Sequence, residues 1–335
     1  MDSVITMDYG SGGTKTSELI ERIFVPAFSN PALDALGDGA VLPGGERLVF
    51  STDSFVVSPW KFPGGDIGKL AVCGTVNDVS MAGGDPKYLS LSFILEEGFS
   101  VEALREIVAS AAETAACCGV RIVTGDTKVV ERGKGDQVYI NTSGIGFLRA
   151  PGLGRAAIRP GDAVLVSGPV GCHGAAVMMA RGELPCEGEL ASDCMPLHEL
   201  SRTLIEAAGP GGLRIMRDPT RGGLATTLNE FVEGTALTIE IAEEAVPVTP
   251  GVRAACGLLG LDPLYCACEG RLVAVVDGAQ EKEALVALRS LPGGQGAARI
   301  GQVTERRPGR VVLRTGLGGS RLLGKLAGGQ LPRIC

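Results

Sequence analysis

The chain has 335 residues, of which 45% are hydrophobic, 21% charged and only 4% aromatic, with 50 glycines and a formal net charge of -7. This length suits about two domains, and the apolar share excludes a mostly disordered chain. Scattered Lys and Arg with few aromatic residues leave nucleic acid without an electrostatic footprint or stacking platforms, and the sequence, with no apolar run near 18 residues and no signal-peptide pattern, reads as cytoplasmic with no membrane partner.

The first 36 residues read as a flexible segment carrying the glycine-rich "YGSGG" at 9 to 13, with Lys15 a solvated charge beside it. Residues 37 to 150 read as a first α/β domain. Its "RLVFSTDSFV" (47 to 56) is a strand with polar residues in its middle, and the helix after "PGGD" places Val72, Val76 and Val79 on one face. "KYLSLSFILEEG" (87 to 98) alternates as a half-buried strand. Ser100 caps a helix whose Leu104, Ile107, Val108, Ala111 and Ala115 point inward and which ends at Gly119. "VRIVTGDT" is a short strand entering a glycine turn, and "QVYINTSGIGFL" (137 to 148) is a further strand.

"APGLGRAAIRPGD" (150 to 162) breaks every periodicity and marks a boundary. A second α/β domain, 151 to 315, begins with the strand "AVLVSG" and the helix "GAAVMMARG". It continues with a helix over about 197 to 208, the strands "LTIEI" and "RLVAVVD", and a helix near 281 to 290. Residues 316 to 335 are glycine-rich and read as a mobile tail ending in Cys335, with a reach of roughly 25 Å for about 20 flexible residues. The terminal thiol lacks the three following residues that prenylation requires.

Ten cysteines in such a chain read as reduced core residues. Cys266 and Cys268 are spaced C-x-C, with His173 and His198 remote and no second pair to complete a zinc site. The informative set is acidic. Asp38, Asp53, Asp78, Asp126 and Asp218 each stand beside a predicted strand end or turn. One such residue is ordinarily a turn former or a helix cap. Five, beside glycine-opened backbone, suit Mg²⁺ bound through phosphates, because that ion takes hard oxygen ligands and keeps positions for nucleotide oxygens. Neither G-x-x-x-x-G-K-[ST] nor a strand-linked G-x-G-x-x-G is present.

The segments "YGSGGTKTSELI", "GDGAVL", "STDSFVVSPWKFPGGDIGKLAVCGTVNDVSMAGGDPKYLSLSFILEEG", "VTGDTKVVERG", "RDPTRGGLATTLNE" and the terminal "PRIC", in this order along the whole chain, resemble the HypE family of carbamoyl dehydratases in nickel-iron hydrogenase maturation. The aspartate blocks alone are similar to the wider superfamily of aminoimidazole ribonucleotide synthetase, selenophosphate synthetase and thiamine-monophosphate kinase. The terminal Cys narrows the likeness to HypE. One departure is Tyr9, which stands where the family usually has His; a phenol also donates a hydrogen bond.

The resemblance implies a two-domain α/β (α+β) fold like that of aminoimidazole ribonucleotide synthetase, with N-terminal sheets pairing into a barrel in a homodimer. It implies ATP-dependent dehydration of a carbamoyl group, placed on Cys335 by the carbamoyltransferase HypF, to a thiocyanate that supplies cyanide to iron through the HypC–HypD pair. Asp38, Asp53, Asp78, Asp126 and Asp218 would hold Mg²⁺ and through it ATP, with Asn77 and Gly125 as further nucleotide contacts. Lys128 and Glu131, in a Lys-x-x-Glu pattern, would handle the carbamoyl group, although by spacing alone they are equally a surface pair on a helix. Glu269 is a further candidate base, or an exposed turn carboxylate. Selenophosphate synthetase requires a reactive Cys near the N-terminus, and the first here is Cys73. Thiamine-monophosphate kinase leaves "LPRIC" unused, and a non-catalytic thiol carrier leaves the acidic set unused.

Overall fold

The computed structural model describes residues 2–10, 14–34, 40, 42–182, 190–326 and 333–335. The first domain is a four-stranded sheet in the order β1-β4-β2-β3, formed by Leu48–Phe55 (β1), Gly84–Glu96 (β2), Arg121–Val130 (β3) and Val138–Leu148 (β4). β4 runs antiparallel to both β1 and β2, while β2 and β3 are parallel. The alternation expected in β2 is present: Leu89, Leu91, Phe93 and Leu95 are buried, whereas Ile94 is exposed. Two helices cover the buried face, Ile67–Met81 (α1) and Val101–Cys118 (α2).

The caps of α2 are those read from the sequence. Ser100 Oγ accepts from Ala103 N at 3.3 Å, and Gly119 closes the helix in the left-handed region at φ 65°. α1 starts at Asp66, whose carboxylate accepts from Gly68 N and Lys69 N at 2.7 and 3.0 Å. Val72, Val76 and Val79 are buried as expected, but α1 is buried nearly all round because its far side meets the second domain. A Cβ on Gly68 would lie 2.2 Å from Ile107 O, so only glycine lets α1 and α2 approach this closely.

The second domain is a seven-stranded sheet built from Ala163–Val166 (β5), Leu213–Arg217 (β6), Thr238–Ala242 (β7), Val273–Val276 (β8), Ala298–Thr304 (β9), Arg310–Arg314 (β10) and Ser320–Leu323 (β11). Its order is β11-β10-β7-β9-β5-β8-β6. One face packs on His198–Ala208 (α4) and Glu281–Arg289 (α7), and the other on Gly223–Val232 (α5). Two further helices, Cys172–Ala180 (α3) and Pro250–Leu259 (α6), pack together.

Four expectations differ from the structure. Within 1–36, Ile5 and Tyr9 are fully buried, Ile5 exchanges backbone hydrogen bonds with residues 98 and 99, and Thr14–Phe28 is helical and carries Leu19, Ile23 and Phe28 into the core. Their apolar spacing gives that segment a face to bury. β3 does not turn at Gly125 but runs through it to Val130. Lys128 and Glu131 therefore share no helix. The tail carries an ordered strand, because β11 pairs antiparallel with β10 and buries Leu323. Asp38 lies outside the described residues.

Candidate active site

The site forms where β1, α1, the loop after β6 and the chain's last residues meet. Ser51 and Asp53 lie on the inward face of β1, and Ser51 Oγ donates to Asp78 Oδ2 of α1 at 2.7 Å. Asp218, one residue beyond β6, is 7% exposed. Burial pushes its carboxyl up to about 7, helped by the negative neighbours Asp78 and Asp53. Asp53 and Asp78 are also raised, chiefly by burial; Arg221 opposes this at Asp53, and the Ser51 hydroxyl opposes it at Asp78.

Glu269 is not the exposed turn carboxylate its bland reading required. It is 2% exposed, and its Oε1 has no hydrogen-bond partner among the described residues. Burial holds it well above the usual carboxylate range, with Cys194, Asp218, Asp193 and Asp53 adding to the effect. Its backbone N–H donates to Asp193 Oδ1 at 3.2 Å.

Cys335 lies within the field of this group. Burial pushes its thiol up to about 12; Glu269 and Asp53 raise it further and Arg221 lowers it. Val56 N donates to a Cys335 oxygen at 3.0 Å and Ser58 N to Arg333 O at 3.3 Å, so the terminus lies antiparallel beside the chain leaving β1. Ile334 is buried in the first domain's core. The end of the chain is seated, in contrast to the expected free tether.

Asn77 has a different setting from a nucleotide contact. It is fully buried, with Nδ2 donating to Met195 O at 3.2 Å and to Glu269 O at 3.4 Å, while Oδ1 accepts from Leu197 N at 2.7 Å. The amide thus clamps α1 to the loop that carries Glu269. Asp126 does not join the other aspartates. The register Asp53, Thr142, Leu91, Gly125 runs across all four strands, so Asp126 projects from the opposite face, with the two edges about 14 Å apart. There Lys128 Nζ meets Asp126 at 2.8 Å and lowers its pKa, with no ion pair to Glu131 among the described residues. Gly125 faces inward, where a Cβ would lie 2.3 Å from Leu91 O. It borders a cavity of 310 Å³ between β3 and the helical segment of Phe24 and Phe28.

Among the described residues no three His, Cys, Asp or Glu side chains stand in ligating geometry for a metal. The converging carboxylates of Asp53, Asp78 and Asp218 nevertheless fit Mg²⁺ held jointly with phosphates. That ion needs only one or two protein carboxylates; burial raises all three here, Asp53 adds to the shift at Asp78, and both add to it at Asp218, a concentration of negative charge that suits a cation.

Family models match on both sides of the chain: "AIR synthase related protein, N-terminal domain" over residues 36–148 and "AIR synthase related protein, C-terminal domain" over 159–314. Carbamoyl dehydratase HypE of Rhodobacter capsulatus is 48% identical over 339 residues, covering 100% of this chain and 99% of that protein. A crystal structure of hydrogenase maturation protein HypE in complex with ATP superposes with a TM-score of 0.95 at 47% identity, covering 98% of this chain and 99% of that one. The chain belongs to the HypE family. HypE in a HypE–HypF complex structure is likewise similar, with a TM-score of 0.80, 45% identity, and coverage of 92% of this chain and 99% of that one. The family resemblance of the sequence and its two-domain α/β fold are thereby established.

Sequence reasoning for a HypE chain missed Arg221, His173, Arg181 and Asp193. Arg221 lies within the "RDPTRGGL" motif already singled out for Asp218, so its signal was available. His173 is one of only two histidines, which is a weak pointer. Arg181 and Asp193 gave none.

Proposed function

We propose that this chain is an ATP-dependent carbamoyl dehydratase of hydrogenase maturation acting on a carbamoyl group carried by its own Cys335. The observation that supports this most directly is the burial of the terminal thiol within electrostatic reach of Glu269, Asp53 and Arg221. The starting group is a thiocarbamate, S–C(=O)–NH₂. Its oxygen attacks the γ-phosphorus of ATP, ADP leaves, and one nitrogen proton is lost. The resulting S–C(=NH)–OPO₃²⁻ expels phosphate as the second nitrogen proton departs, leaving S–C≡N. The sum is thiocarbamate and ATP to thiocyanate, ADP and phosphate.

Glu269 is the base we assign to the nitrogen protons. A buried carboxylate with a raised pKa and a free oxygen takes a proton readily, and the clamp of Asn77 and Asp193 on its backbone holds it against the thiol. Arg221 offsets negative charge beside the sulfur. Asp53, Asp78 and Asp218 would hold Mg²⁺, which when bound neutralises charge on the transferring phosphoryl group. ATP as co-substrate is supported by the ATP-bound relative, and the cavity beside Gly125 is our assignment for its base.

HypF as the source of the carbamoyl group is supported by the relative solved with HypF. HypC–HypD remains our proposed acceptor of cyanide. A homodimer fits the bare face of the first sheet, where Phe50 is 67% and Leu48 55% exposed. Lys128, Glu131 and Asp126 would then act across that face on the neighbouring copy's site. No helix among the described residues is long and apolar enough to cross a membrane, and we assign the protein to the cytoplasm.

The test is mass spectrometry of the C-terminal peptide after incubation with HypF, carbamoyl phosphate and ATP. The parent should gain a carbamoyl group at Cys335 and then lose the mass of one water. Cys335→Ala should do neither while still binding ATP. Dehydration on another cysteine in that variant would overturn the assignment.

A further inference from the structure

This inference rests on the reading of Cys335 as the acceptor thiol. Three consecutive carbonyl positions at the end of the chain each have a dedicated donor. Arg333 O accepts from Ser58 N at 3.3 Å and from Arg181 Nη2 at 2.6 Å, Ile334 O from His173 Nε2 at 2.5 Å, and a Cys335 oxygen from Val56 N at 3.0 Å. Residues 56 and 58 serve 335 and 333, and His173 serves 334 between them; Arg333 itself stands in the left-handed region at φ 52°, a turn that these contacts hold in place.

The supporting contacts are built in. Ile334 O can only accept, so Nε2 of His173 carries the proton and Nδ1 accepts from Ser192 Oγ at 2.8 Å. Ser192 Oγ in turn accepts from Cys194 N at 3.0 Å, and Ser192 N donates to Pro63 O at 2.7 Å. Arg181 Nε also donates to Ser58 O at 2.7 Å, so one guanidinium ties both backbones. The Arg333 side chain is read as well: it pairs with Asp136, donates from Nε to Val56 O at 3.1 Å and lies over the Tyr139 ring.

We propose that His173, Arg181 and Asp136 are positioning residues forming a latch that reads the terminal Arg-Ile-Cys and fixes its register against Glu269. A slip of one residue would bring Ile334 out of the core and displace the thiol by about 3.3 Å, a distance at which reacting groups lose alignment. The latch therefore selects a tail with Arg two places and a branched aliphatic residue one place before the Cys. Backbone contacts alone would not distinguish such a tail from another.

The test uses the full-length chain and two readouts: the alkylation rate of Cys335 in the resting protein, followed on the C-terminal peptide, and single-turnover dehydration of the carbamoylated protein with ATP. His173→Phe keeps a ring and removes the donor. Loss of one buried hydrogen bond predicts about tenfold faster alkylation and about tenfold slower dehydration, with KM for ATP unchanged. Arg181→Gln should act similarly, and Asp136→Asn more weakly. His173→Gln, whose amide can donate, should recover most of the protection. If His173→Phe fails to fold, Arg181→Gln and Asp136→Asn decide, since both positions are only half-buried. Parent-rate alkylation and dehydration in those two folded variants would overturn the latch. Normal protection of Cys335 with no dehydration in the parent would instead sink the dehydratase reading and leave the latch standing.

Discussion

Asp218 gives the site a pH signature. An unfolded aspartate releases its proton near 3.8, whereas folding holds this one until about 7. The native state therefore binds more protons between those values, and metal-free protein loses stability as pH rises through that window, by up to about 4 kcal/mol. Asp218→Asn should melt higher than the parent at about pH 8 and close to it below about pH 4, in scans made with chelator. Equal melting at the higher pH would refute the shifted carboxyl. Asp78→Asn is a complementary change, because its amide oxygen can still accept from Ser51. We expect a folded protein whose ATP hydrolysis is lost, and retained hydrolysis with unchanged magnesium dependence would remove Asp78 from the site. Asp53, Asp78 and Asp218 were singled out in the sequence by their places at strand ends and turns, and Cys335 by the family resemblance of the terminal PRIC. Glu269 was legible only as a carboxylate. Its burial depends on Asp193, Met195 and Asn77, which are separated from it by 74 or more residues and leave no local pattern.

At the scale of elements, local signals sufficed where one face meets one core. β2 alternates, α2 has Ser100 and Gly119 at its ends, and α4 buries Leu200, Leu204 and Ala208 as its spacing predicts. They failed where a glycine does something other than turn the chain. Gly125 sits in the middle of β3 because Leu91 O approaches too closely for a side chain, and Gly222 and Gly223, at φ 77° and 59°, lead into α5, a helix that the sequence reading does not include. The join between α1 and the Glu269 loop depends on one amide. Asn77→Ala would strand Leu197 N and two carbonyls in a buried interface, at about 1–3 kcal/mol for an unsatisfied group. We expect chemical denaturation to report a loss of about 2–4 kcal/mol. Dehydration should slow more than ATP binding weakens. A variant as stable as the parent would show that the clamp carries no load.

For the whole molecule, the first sheet is covered on one side only. The bare side exposes Leu48, Phe50 and Ile94 among Ser, Thr and Asn, and it carries Asp126 and Lys128 away from the other aspartates. Pairing of two such faces would bury the apolar residues and bring each copy's Asp126 and Lys128 toward its neighbour. Phe50→Asp should convert a dimer to a folded monomer in analytical ultracentrifugation and depress dehydration. A parent that sediments as a monomer would exclude this arrangement. Composition and the acidic set foreshadowed two domains and a nucleotide enzyme, but not that Ile334 belongs to the first domain's core with Cys335 packed against it. The tail is separated from Val56 and Ser58, its partners after β1, by about 280 residues, so no window of sequence contains both.

The seat of the terminal thiol also imposes an order on events. A sulfhydryl pushed up to about 12 is ionised to roughly one part in 100,000 at neutral pH, against a few per cent for an ordinary cysteine. In its seat Cys335 is thus almost inert toward any electrophile, the carbamoyl donor included. Acquisition of the group is thereby disfavoured in the seat and favoured with residues 333–335 withdrawn, so that loading at Cys335 should speed up in variants that loosen the tail. Burial in the seat thus protects the thiol, since oxidants and alkylating agents attack the thiolate that burial disfavours.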